Sequence, residues 1–205
     1  MFKSLKSKIA ILLILIILIC GFLTLSNSGY VDIYLDGENV TTSFITIPFL
    51  YDNNEIIDEI NDYALNNSYD NFDSNVSDLK NGIGKITHKH GIDNTIVKID
   101  SSYGENQIPI IFLVNGTSME PTLKDGQDIV ILKTKNINVG DIVVCDSPEY
   151  GIIVKRVSEI NGDRVYLTSD NKNSEITNIN GVEYVSQGIT TWENISNIMG
   201  VVEKY

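Results

Sequence analysis

Residues 9–25 read IAILLILIILICGFLTL, seventeen positions without a charge or a strongly polar side chain. A run like this has to leave water, and a helix is the simplest way to do so. At about 1.5 Å per residue, such a helix is at the short end for crossing a hydrocarbon core of ~30 Å. Lys3, Lys6 and Lys8 precede it with no acid among them; Ser26, Asn27 and Ser28 follow it, then Asp32 and Asp36. This asymmetry places the N-terminus in the cytoplasm and the rest of the chain outside the cell membrane. A cleaved signal peptide shares the layout, but its apolar run is shorter and ends in an A-x-A-like site. Ser26-Asn27-Ser28-Gly29 is a weak version of that site, so the expectation is a retained single-pass anchor in contact with membrane lipid.

The anchor changes how the charge balance reads. The chain has 15 bases and 27 acids, a net charge of −12. Without the three leading lysines, 12 bases face 27 acids, a balance of −15 for the exported part. A nucleic-acid binder needs a basic face to displace counterions, so that class is excluded. Two cysteines exclude a disulfide-stapled scaffold and an all-cysteine zinc site. Cys20 lies in the apolar run and Cys145 far from it, so Cys145 reads as a small buried hydrophobe. His88 and His90 would share one face of a strand, but no third ligand accompanies them. No metal or other cofactor is expected.

Three regions follow from the patterning. Residues 1–29 are the cytoplasmic tip and anchor. Residues 30–106 are rich in Asn, Asp, Ser and Tyr and read as a small α+β module. Within it VDIYL (31–35) and ITIPFL (45–50) are strand-like, and 53–66 carries apolar residues at helical spacing. Residues 67–82 read as a polar loop, and 86–99 as two short strands turning at Gly91. From 107 to 205 the segments IPIIFLV, DIVILK, DIVVC, GIIVKRV and DRVYLTS follow one another, short, β-branched and punctuated by turn residues. That spacing predicts a mostly β domain folded into a coiled or barrel-like sheet.

The chemistry concentrates in NGTSMEPTL, residues 115–123. A strand ending in Gly116 and leading through Ser118 to Pro121 makes a tight turn that exposes one hydroxyl beside backbone N–H groups. Acyl transfer needs that combination. A serine nucleophile also needs a base, and no histidine follows Ser118. Lysine is a known substitute. Lys155, in GIIVKRV, shares a strand face with Ile153 and Val157, an apolar setting that penalises the ammonium. A useful base must fall from ~10.4 to about 8, which corresponds to about 3 kcal/mol of differential destabilisation. A lone lysine snorkelling from a strand edge is the plain alternative.

NGTSMEPTL, then GDIVVCDSP, then IIVKRVSEINGDRVYL, then SDNKNSE together resemble the type I signal peptidases. These are membrane-bound serine proteases related to the LexA-like self-cleaving repressors. The resemblance covers roughly residues 107–202. It implies a catalytic domain of that family's coiled β-sheet type, with Ser118 as nucleophile and Lys155 as the bacterial-type general base. Asp170 supports the site within the block Ser169-Asp170-Asn171. Ser174 matches a serine that hydrogen-bonds the lysine, with a one-residue gap. Gly116, Met119 and Pro121 flank the substrate. Ser169 departs from the family's glycine, and Gln127 from its usual Asp. Gly116 replaces a serine that some bacterial members use in the oxyanion hole, which shifts that task to the Ser118 backbone N–H. The Ser118–Lys155 spacing resembles the compact archaeal form.

The implied function is removal of N-terminal signal peptides from exported proteins, near the protein translocation machinery. Two alternatives stand beside it. One is a dedicated processing peptidase for one or a few surface proteins, motivated by the long 30–106 insert. The other is a catalytically silent, membrane-anchored binding module that reuses the scaffold.

Overall fold

A computed structural model describes residues 10–18, 21, 27–47, 53–173, 175–179, 182–186 and 188–205. The first ordered sheet begins just after the apolar run. In β1 (Ser28–Leu35) Val31, Ile33 and Leu35 point inward and Tyr30 and Tyr34 outward, the period of two that a half-buried strand requires. β2 (Val40–Ile47) returns antiparallel, pairing Ser28 with Ile47 and Leu35 with Val40. Asp36 closes the turn by accepting from the Glu38 and Asn39 N–H groups. β3 (Asn94–Ser101) joins the other edge of β1 in parallel, giving the order β2-β1-β3.

Two helices make the crossover that a parallel pair demands. α1 (Asn53–Leu65) buries Ile56, Ile60 and Ala64, one turn apart, as its apolar spacing predicts. A π-helical turn, Asn66–Asp70, follows, and then α2 (Val76–Lys89), which buries Leu79, Ile83 and Ile86. The sequence expectation of a loop over 67–82 and two strands over 86–99 is therefore corrected. Asn75 caps α2 in a capping box: its side chain accepts from the Ser77 and Asp78 N–H groups, and the Asp78 carboxylate accepts from the Asn75 N–H. Only β3 remains of the two strands expected there. His88 lies at the end of α2 and His90 caps it; they face different acids, Asp93 and Glu59.

The second half is a seven-stranded antiparallel sheet in the order β11-β8-β7-β6-β12-β5-β4. Its members are β4 (Pro109–Leu113), β5 (Asp128–Leu132), β6 (Ile142–Ser147), β7 (Gly151–Asn161), β8 (Arg164–Thr168), β11 (Thr191–Asn194) and β12 (Ile198–Lys204). β9 (Glu175–Ile179) and β10 (Val182–Ser186) form a separate hairpin. Register shifts in β7 and twice in β12 bend those strands, which curls the sheet into a half-barrel. β6 lies at its centre and is buried on both faces. Val144 joins the core of Met119, Leu123, Ile129 and Ile131, while Val143 and Cys145 join that of Val157, Val165 and Leu167. Burial pushes the Cys145 thiol up to about 12, so it packs as a hydrophobe.

The helix-and-sheet module has its own core around Ile33, Ile60, Leu79 and Ile83. β3 ends at Ser101 and β4 starts at Pro109, on either side of the composition change near 103–107. Residues 10–18 are helical, and Ile11 to Leu18 are roughly half exposed. Apart from these and Gly21, the apolar run lies outside the described residues. Among the described residues no helix is long and apolar enough to cross a membrane.

Candidate active site

The turn after β4 is held from below and from the side. Met119 and Leu123 are fully buried, and the Leu123 N–H donates to the Met119 carbonyl, so this turn is pinned in the core. Gly116 has φ +97°, a conformation that favours glycine, and its N–H donates to Asp125 Oδ1 at 2.7 Å. Gln127 closes the neighbouring turn, its Oε1 accepting from the Lys124 N–H at 2.9 Å. These constraints leave Ser118 half-buried at the wall of a cavity of about 440 Å³.

Lys155 reaches the same point from β7. Its strand neighbours Ile153 and Val157 are buried with it, and only 3% of the residue is exposed. Lys155 Nζ lies 2.8 Å from Ser118 Oγ and 3.0 Å from the Val154 carbonyl oxygen. Burial lowers its pKa from the usual 10.5.

A polar brace stands behind this pair. Arg156, next to Lys155, grips Asp170 through Nε (2.7 Å) and Nη2 (2.6 Å). Arg156 also donates to the Gly140 carbonyl, and Thr122 Oγ1 donates to Asp170 Oδ2 at 2.6 Å. The guanidinium holds the Asp170 carboxyl below its usual range, with Thr122 adding to the effect. The Asp170 carboxylate thus ties β7 to the segment that follows Ser118, its hydrogen-bond partners being Arg156 and Thr122 rather than Ser118 or Lys155. Asn171 completes the brace: its N–H donates to the Ser118 carbonyl and its Nδ2 to the Thr117 carbonyl, both at 3.0 Å. The peptide units flanking the hydroxyl are thereby fixed from the 169–171 segment.

Ser169 is almost fully buried and donates to the Ile189 carbonyl at 3.0 Å. A Cβ on Gly188 would lie 2.5 Å from Ser169 Cβ, so Gly188 leaves the room that this serine occupies. Gly188 and Ile189 line the cavity. Ser169 therefore supports its rim from behind.

Of the other sequence-derived candidates, Gly116 lines the cavity, Met119 lies in the core beneath the turn, and Pro121 is exposed. Ser174 lies outside the described residues. Sequence reasoning missed Arg156, Thr122 and the double role of Asn171. It also missed the apolar wall of Phe112, Ile129, Val144 and Val154. The signal for Arg156 was its place beside Lys155; the others are set by contacts between distant segments.

A family model described as Peptidase S24-like matches residues 75–190, more than half of the chain. Signal peptidase I of Bacillus licheniformis is 41% identical over 64 residues, which is 29% of this chain and 34% of that protein. Signal peptidase IB of Staphylococcus aureus (strain COL) is 38% identical over 63 residues, 29% of this chain and 33% of that protein. The chain thus spans about a third of the length of these two curated relatives.

Proposed function

Because the chain belongs to the Peptidase S24-like family, we propose that it is a membrane-anchored serine endopeptidase that removes signal peptides from exported proteins. The observation that carries this reading is the 2.8 Å approach of a buried lysine amine to a half-buried serine hydroxyl at a cavity wall. Neutral Lys155 takes the Ser118 proton as Oγ attacks the scissile carbonyl. The Ser118 backbone N–H is the oxyanion donor in this reading, and the Gly116 N–H, already engaged by Asp125, is not. Lys155 then returns the proton to the leaving amine. The acyl-enzyme is cleared by a water that Lys155 deprotonates in turn. The Arg156–Asp170–Asn171 brace keeps the two reacting atoms at this distance while substrate enters.

The apolar run 9–25 anchors the chain and holds the cavity outside the membrane, where signal peptides emerge. The test is cleavage of a model preprotein by purified protein in detergent. Ser118→Ala and Lys155→Ala are each expected to lose at least about a thousandfold in kcat/KM with unchanged folding. Full activity in either variant contradicts the dyad. A panel of unrelated signal peptides separates a general enzyme from a dedicated one: broad cleavage supports the first.

A further inference from the structure

We propose that Phe72, a residue of the 30–106 module, determines specificity by backing the cavity wall beside Ser118. The inference rests on the peptidase reading above and extends it to a part of the chain outside the matched stretch 75–190.

Phe112 on β4 is a wall residue of the cavity, and it is only half-buried. The Phe72 ring packs against it, with centroids 6.1 Å apart and planes tilted by 37°. This is a favourable aromatic geometry. Phe112 therefore stands between substrate space and a side chain from another module.

Phe72 can act as a wall only if its own backbone is held, and two tethers hold it. Lys133, just past β5, sends its ammonium into the turn that carries Phe72. It donates to the carbonyls of Asn71 (2.5 Å), Asn67 (3.2 Å) and Ser68 (3.3 Å) and to Ser74 Oγ (3.0 Å). These acceptors bracket Phe72 on both sides. Tyr69 supplies the second tether: its hydroxyl donates to the Asn39 carbonyl and accepts from the Gly37 N–H, in the β1–β2 turn. Its ring packs against both the module core and the sheet core. Phe72 thus belongs to a braced segment joined to both halves.

A packed interior has little slack, so removing one ring lets its neighbour move. With Phe72 truncated, Phe112 can retreat and the pocket beside Ser118 deepens. A deeper apolar pocket accepts a larger side chain. A purely structural Phe72 would instead lower the cleavage of all substrates alike.

The experiment uses the full chain in detergent and peptides with Ala, Val or Leu before the scissile bond. The readout is the ratio of kcat/KM for Leu over Ala, which does not depend on the fraction of active protein. Phe72→Ala is expected to raise this ratio about tenfold, and Phe72→Tyr to keep the parental value. If Phe72→Ala does not fold, Phe72→Leu carries the test with a smaller rise in the same direction. The same peptides are titrated by fluorescence anisotropy against Ser118→Ala, with and without the Phe72 change. A shifted binding preference without cleavage by any variant would sink the peptidase reading and keep the wall. An unchanged preference in both measurements, or no peptide binding at all, overturns the proposal.

Discussion

In the proposed dyad Lys155 gains its usefulness as a base from being badly placed for a charge. Only a neutral amine can accept the Ser118 proton, and burial lowers the pKa from 10.5 so that more of it is neutral near physiological pH. At low pH the amine is protonated and idle, so activity rises with pH as the proton leaves. The midpoint of kcat/KM against pH is expected below 10.5. A flat profile, or a midpoint at the ordinary lysine value, would contradict the role. Residue type and local pattern alone, a hydroxyl in a Gly–Pro turn and a lysine on the apolar face of a strand, left plain structural alternatives open. The four blocks read together singled out Ser118 and Lys155, and the fold brings their side chains within 2.8 Å. The clasp of Asn171 on Thr117 and Ser118 was not legible, because its donors and acceptors lie more than fifty residues apart. Ser169 looked like a departure from pattern; its room comes from Gly188, a compensation visible only when the two backbones meet.

Among the elements, β4 to β8 read well, β9 to β12 were not singled out, and the helices of the first half read unevenly. Each strand from β4 to β8 is a β-branched run bounded by turn residues, so composition and period agree. α1 also declared itself through Ile56, Ile60 and Ala64. α2 did not, because Asn, Asp, Ser and two glycines dilute its apolar stripe. Tertiary contact accounts for one of those glycines. A Cβ on Gly82 would fall 2.0 Å from the Tyr63 ring, so the glycine lets α1 and α2 approach. The overlooked start signal was Asn75 with Asp78 three residues on. Asn75→Ala should cost about 1 kcal/mol of stability, read as a lower denaturation midpoint, with peptide preference unaffected. An unchanged midpoint would mean that packing alone fixes the start of α2.

At the scale of the whole molecule, an apolar N-terminal run is followed by a small α+β module and a curled sheet. The composition change near residue 105 falls between the end of β3 and the start of β4. It could not reveal how the two halves are joined, since Lys133 and Tyr69 act through contacts between segments far apart in sequence. Beyond the three leading lysines 12 bases face 27 acids, a balance that the proposed anchored topology would put outside the membrane. In the proposed reaction Ser118 becomes covalently attached to the substrate fragment. The most direct measurement is intact mass after rapid mixing with a signal-peptide substrate and acid quenching. The added mass is expected to equal the N-terminal fragment less water, to sit on Ser118 and to be missing in Ser118→Ala. Cleavage at full rate by Ser118→Ala, with no adduct in either protein, would contradict it.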